Sequence, residues 1–294
     1  MTVTQTQSPA AVHNILLATD FTEASAKAFK YAKAFARHFQ ASVTSAHVLR
    51  ASVQDWPKFG TDPEYRKLYN ETKEMLNKLS RQLVQSGFKT DPALLEGDPA
   101  DGILKAINEH QADLLVLGTH GSRDLERLVL GSTAEEILRK ASCPVLTVGP
   151  HVPDPDHGMV LFRRILLATD FSPESAAAVP YAFAFAAEPS SHVTICHVLP
   201  EGHTRTMDAS QLQAKFMKSA QKLIPEEFWK RSSAEYLVEY GDAADEILQL
   251  ATRQKVDLIV IGAHSAGVIA THLPPGVAFR VLAGAPCPVL TIHK

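Results

Sequence analysis

Seven residues, ILLATDF at Ile15–Phe21, return letter for letter at Ile165–Phe171. His47–Leu49 comes back at His197–Leu199 with the same offset of 150 residues. Beyond that point the offset falls to 144: Gly97-Asp98 matches Gly241-Asp242, ADLLVLGTHG from Ala112 matches VDLIVIGAHS from Val256, and CPVLT at Cys143–Thr147 matches Cys287–Thr291. Matches that keep one order through both halves, with a single change of length, point to duplication of a whole domain. The chain of 294 residues then gives each copy the commonest size for a domain. GPHVPDPDH, at Gly149–His157, is rich in Pro and Asp and reads as the linker. That places a first domain at residues 1–150 and a second at 160–294.

Within each copy, short apolar runs alternate with longer helical patterns. Asn14–Thr19 reads as a strand, and Ala28, Tyr31, Ala32, Phe35 and Phe39 then recur at helical spacing, with Thr22 placed to cap that helix. Ser172-Pro173 marks the same start in the second copy. Val43–Leu49 predicts the second strand, Tyr65–Gln85 a helix, and a third extended segment ends at Glu96. Asp98-Pro99 opens the next helix, Leu114–Leu117 and Val145–Val148 are the last strands, and a helix from Ser132 lies between them. Strands that are apolar throughout and separated by helical crossovers need a parallel sheet covered on both faces. Each copy is therefore expected to be a five-stranded, doubly wound α/β domain.

Composition narrows the function. A formal charge of −3 and a pI near 6.5 give no field to draw nucleic acid or an anionic membrane, so neither is an expected partner. The first ten residues have no basic start or apolar run, and Ala176–Ala187, the longest uncharged stretch near a helix, is too short to span a bilayer and contains Pro180. Cys143, Cys196 and Cys287 fit neither a disulfide framework nor a zinc site, and read as core residues of a cytoplasmic protein. GxGxxG after the first strand, GK[ST] and GxSxG are all absent, which excludes the dinucleotide fingerprint, the Walker loop and the hydrolase elbow.

Ligands of doubly wound sheets lie outside the carboxyl ends of the strands. In the first copy those ends carry Thr19-Asp20, His47-Val48 and Gly118-Thr119-His120-Gly121, and nine residues later Gly131-Ser132-Thr133 opens the last helix. Glycines allow close backbone approach, and a helix start offers unpaired N–H groups at a positive dipole end, so together they can cradle a polyphosphate. Asp20 can face a ribose hydroxyl or a metal ion, and Val48 can pack against a base. Plainer roles exist for the same residues: Asp20 as a helix-entry residue, Ser132-x-x-Glu135 as a capping box, His47 and His197 as packed histidines.

ILLATDF, HVL, GxxG with nine residues to GS, and the closing CPVL strand together resemble the universal stress protein family, twice over nearly the whole chain. The resemblance implies an adenine nucleotide alpha hydrolase-like sheet of order 3-2-1-4-5 and a stress-response regulatory or adaptor role. It implies an ATP site, with ADP or AMP as alternatives, whose contacts are Asp20, Val48, Gly118, Gly121, Gly131, Ser132 and Thr133, with Ala18, Leu117 and His120 beside them. Magnesium is an accompanying expectation, with Asp20 its candidate ligand. Family members commonly dimerise, so a homodimer or an intramolecular pseudo-dimer through Val145–Val148 and Val289–Ile292 is expected, besides a protein partner that the sequence does not name.

The second copy departs from the motif. Aligned back from Cys287, Ser265 stands opposite Gly121, Pro275 opposite Gly131 and Gly276 opposite Ser132. Proline has no N–H to donate, so the cradle reads as broken and one nucleotide per chain is expected. Phosphoryl transfer needs a metal clamp, a positioned nucleophile and a stabilising cation, and only Asp20 with Arg123 or Arg127 lies within loop reach. A slow Mg-dependent ATPase or phosphotransferase is thus an alternative, and a nucleotide-free scaffold is another.

Overall fold

Runs of Leu, Ile and Val with no polar interruption lower their free energy only when both faces leave water, and these runs become the central strands. A computed structural model describes residues 12–50, 62–119, 130–155, 162–186, 190–201, 209–224, 233–263 and 276–293. The chain divides into two compact units, one whose described residues lie within His13–Val160 and one that takes Val12 together with the described residues from Phe162 onward.

The first unit runs β1 (Asn14–Ala18), α1 (Glu23–Phe39), β2 (Ser42–Arg50), α2 (Pro63–Gln85), β3 (Thr90–Gly97), α3 (Pro99–Glu109), β4 (Leu114–Gly118), α4 (Ser132–Lys140), β5 (Val145–Val148). Its strands are parallel, in the order β3-β2-β1-β4-β5. Ile15, Leu16 and Leu17 of β1 and Leu114, Leu115 and Val116 of β4 are buried at the centre of the sheet. The second unit repeats the plan with β6 (Arg164–Ala168), α5 (Pro173–Phe185), β7 (His192–Leu199), α6 (Ala209–Leu223), β8 (Ser233–Tyr240), α7 (Ala243–Arg253), β9 (Leu258–Gly262), α8 (Val277–Gly284), β10 (Val289–Ile292). Its order is β8-β7-β6-β9-β10, again parallel, so both units are doubly wound α/β folds.

Helix starts follow the sequence signals. Thr22 caps α1 by accepting from the Ser25 N–H, and Ser172 does the same for Ser175 ahead of Pro173. Asp98 accepts from Ala100 and Asp101 at the head of α3, and Asp242 from Ala244 and Asp245 at the head of α7. β2 runs on to Arg50 and β3 to Gly97, each one residue past its sequence signal, while β1 stops at Ala18, one short of the expected Thr19.

The linker begins along the helix of its own unit. Lys27 Nζ donates to the carbonyls of Pro150 and Val152 at 2.8 and 3.2 Å, and the Tyr31 hydroxyl donates to that of Pro153 at 3.0 Å. Lys30 pairs with Asp154. Residues 27, 30 and 31 share one face of α1 because they are three and four apart.

All three cysteines are buried free thiols, and burial pushes each up to about 12. Among the described residues no helix is long and apolar enough to cross a membrane. With the thiolate as the reactive form, the native protein at pH 8 is expected to leave a chromogenic aromatic disulfide unreacted, and to release three equivalents of chromophore once unfolded in guanidinium. Rapid release of even one equivalent from the native chain would contradict the burial.

Candidate functional site

β1 has β2 on one side and β4 on the other, so the chain's connections leave the centre of the first sheet in opposite directions. A cleft opens at that switch point, at the carboxyl ends of the strands. There the first unit holds a cavity of about 500 Å³, a volume within the ordinary range for small-molecule sites.

Each wall comes from a strand end or a helix start. Ala18, Thr19 and Asp20 follow β1, while His47, Val48 and Arg50 come from β2. Leu117, Gly118 and Thr119 end β4, and Gly131, Ser132 and Thr133 open α4, whose Ala134 and Ile137 continue the wall. Ser25 of α1 and Pro99 and Ile103 of α3 complete it. Ala18, Asp20, Val48, Leu117, Gly118, Gly131, Ser132 and Thr133 are thus brought to one cavity, and the expectations for His120 and Gly121 fall outside the described residues. Pro99, Ile103, His47 and Arg50 are lining residues that the motif did not single out. For Arg50 a signal was available, because strand alternation places it on the same face as Val48.

The turn after β1 is held by its own side chains. Phe21 sits in the left-handed region at φ 62°, a conformation that costs about 1–2 kcal/mol for a non-glycine residue. Thr19 Oγ1 accepts from the Phe21 N–H at 3.1 Å, and Asp20 Oδ1 accepts from the Thr22 N–H at 3.0 Å and its hydroxyl at 2.5 Å. The second unit builds the same turn: Phe171 has φ 62°, and Asp170 Oδ1 accepts from the Ser172 N–H and the Ser175 hydroxyl, each at 2.9 Å. Burial opposes ionisation of Asp170, but the Ser172 and Ser175 donors outweigh it and hold the carboxyl below its usual range. The aspartate therefore orders this turn in both units. In the first it spends Oδ1 on the turn, and Oδ2 takes no part in these bonds.

His47 is likewise pinned. Its Nδ1 lies 2.7 Å from the Thr19 carbonyl, which can only accept, so Nδ1 carries the proton. Burial drives its pKa below 6.5, offset in part by that carbonyl and by Asp20, and the ring is neutral at pH 7. His197 makes the same 2.7 Å bond to Thr169. The repetition assigns both histidines a packing role.

Two readings of the glycine loop need correction. Gly118 is required by helix packing: a Cβ there would come 2.8 Å from the Ala24 carbonyl carbon, where the first turn of α1 crosses β4. Gly262 is held for the same reason, with a Cβ only 2.4 Å from the backbone of Glu174 and Ser175, so its survival in the second copy says nothing about a ligand. Gly131, at an ordinary φ of −60°, is the N-cap of α4, and its N–H already donates to the Thr119 carbonyl at 3.0 Å. It is therefore a latch between β4 and α4, and the loss of that N–H is not the reason for a proline to spoil an anion site. The capping box is not made either, because Gly131 occupies the cap and Glu135 pairs with Arg139. What remains is a helix with no side-chain cap, whose first residues Ser132, Thr133 and Ala134 line the cavity. Their N–H groups and two hydroxyls are the donors this wall offers.

The equivalent wall of the second unit has other chemistry. Ala141 and Ala285 are matching C-caps, yet α8 starts one residue later, so Gly276 and Val277 stand where Ser132 and Thr133 do. Pro200 replaces Arg50. Gly102 lies against Val48, where a Cβ would come 2.8 Å from Cγ2, and its counterpart Glu246 folds a carboxylate toward Gly241. Pro275 and Ser265 fall outside the described residues. Among the described residues no group of three or more His, Cys, Asp or Glu could hold a metal ion.

A doubly wound α/β fold, present twice, with a cleft and an uncapped helix start at the switch point of the first unit, defines a class of α/β protein. Comparison with known proteins narrows it. The universal stress protein family model matches residues 11–149 and again 161–293, and the chain belongs to that family. It is 36% identical over 140 residues to a universal stress protein of Methanocaldococcus jannaschii, covering 46% of this chain and 80% of that one. A Mycobacterium bovis universal stress protein is 25% identical over 272 residues, covering 86% and 87%. The crystal structure of a universal stress protein from Archaeoglobus fulgidus superposes with a TM-score of 0.74 at 22% identity, covering 98% and 99%, which shows the shared fold.

Because His47 is buried neutral, the unfolded chain binds more protons than the native one once pH drops below about 6.5. Stability is then fully present above that pH and declines as pH falls toward the lower native value. Urea midpoints at pH 7.5 and 5.5 are expected to show this decline, and His47→Gln to make it shallower, with His293, also lowered by burial, supplying part of the slope that remains. An unchanged slope in the variant would sink the assignment to His47.

Proposed function

We propose that the first domain, residues 1–150, binds an adenine nucleotide in this cleft and that the second, residues 160–294, does not. The observation that carries the reading is the uncapped start of α4, opening with the Ser132 and Thr133 hydroxyls into a cavity of about 500 Å³. A helix start of this kind favours phosphate through its free N–H groups and its dipole. Asp20 and the apolar residues Val48, Pro99 and Ile103 line the same cavity and offer partners to a ribose and a base. The resemblance to ATP-binding universal stress proteins supports adenine as the base. Where magnesium accompanies ATP, Asp20 Oδ2 is the ligand this chain can offer, the phosphate oxygens supplying others.

Substitutions in the second domain support the asymmetry. Gly276 and Val277 remove both hydroxyls, and Glu246 brings negative charge to the side where the base would lie. Occupancy of one domain out of two suits a stress-responsive regulatory or adaptor protein of the cytoplasm, in which the nucleotide biases partner choice. A homodimer or an intramolecular pseudo-dimer through Val145–Val148 and Val289–Ile292 belongs to the same proposal, and sedimentation velocity tells the two apart.

Calorimetric titration of the full chain with ATP, ADP and AMP in the presence of magnesium is expected to give one site per chain. Ser132→Asp is the sharper test. A carboxylate at an exposed first helical position favours the helix dipole but repels phosphate, so ATP affinity is expected to fall at least about tenfold while the melting temperature of the free protein holds or rises. ATP binding that survives Ser132→Asp would remove α4 from the phosphate site, and two sites in the wild type would overturn the asymmetry.

A further inference from the structure

β2 ends at Arg50. Alternation along a strand puts Arg50 on the same face as Val48, and both line the cavity together with Pro99 and Ile103. Arg50 is exposed. Among the described residues its guanidinium makes neither a hydrogen bond nor an ion pair. His47 is neutral, so Arg50 is the one full positive charge among the described lining residues.

Its place in the sheet separates it from the anion donors. β2, β1 and β4 are successive neighbours, which sets β2 about 10 Å from β4. The start of α4 is latched to the β4 side through the bond from Gly131 to Thr119. A ligand with its anionic tail on α4 and its far end toward β2 meets Val48 and Arg50 there. Guanidinium is planar, weakly hydrated and stacks on aromatic faces. That combination suits the flat face of a purine better than a second phosphate.

On the nucleotide reading above, we propose that Arg50 is the base-side contact of the site, its guanidinium plane lying over the purine that packs beside Val48. The second copy is consistent with this role, since it has Pro200 in place of the guanidinium and Glu246 in place of the glycine next to the valine.

The test compares adenosine, AMP and ATP by calorimetry on the full-length wild type, Arg50→Ala and Arg50→Lys, at low and high salt, with urea midpoints of the free proteins as the folding control. Arg50→Ala is expected to weaken adenosine and ATP by the same factor, about five- to thirtyfold, with little dependence on salt. Arg50→Lys keeps the charge but not the plane, and is expected to recover little of it. Loss confined to ATP, restored by Lys and erased by salt, would make Arg50 a phosphate contact and overturn the proposal. Unchanged affinity for every ligand would overturn it too, while leaving the nucleotide site standing. A wild type that binds none of the three defeats the nucleotide reading itself.

Discussion

The close crossing of the first helix over the fourth strand governs the carboxyl end of each sheet. Ala24 lies on Gly118 in one unit, and Glu174 and Ser175 lie on Gly262 in the other, with no room for a side chain between. To bring the helix that near, the chain must reverse within three residues of the first strand, and it does so through a left-handed Phe21 or Phe171. The threonine and aspartate before each phenylalanine offset that strain by accepting the N–H groups the turn exposes. A sequence repeated letter for letter, ATDF, is thus first of all a device for leaving a strand.

That device also makes a site available. With the first helix drawn in, the space at the switch point is bounded by α3 and α4 and by the ends of β1, β2 and β4. What fills the space then depends on residues outside the turn. In the first unit α4 starts with two hydroxyls and no side-chain cap, and Gly102 leaves Val48 in close contact with α3. In the second unit the same positions hold Gly276, Val277 and Glu246. Duplication has kept the turn, the glycine under the helix and the pinned histidine, all of which the fold needs. It has let the rim diverge, where only a ligand would notice.

Much of this was readable in the amino-acid order. Two domains, ten strands in parallel pairs and the caps Thr22, Asp98 and Ser172 all follow from local rules: burial of continuous apolar runs, and short polar side chains satisfying orphan N–H groups. The motif residues Ala18, Asp20, Val48, Leu117, Gly118, Gly131, Ser132 and Thr133 converge on one cavity. The motif did not distinguish the structural work of two of its glycines. Gly118 and Gly131 read alike as loop glycines, yet one is fixed by a helix crossing and the other spends its N–H on Thr119.

The difference has one physical origin. Sequence by itself determined periodicity, capping and the repeat, because these depend on neighbours along the chain. Only the tertiary structure decided that Gly118 has to make room for Ala24, that the Gly131 N–H is already spent, that Gly102 meets Val48, and that Arg50 lines the same cavity as the start of α4. Each of these is a distance between segments remote in sequence, set by how strands pair and helices cross, and no local pattern encodes it.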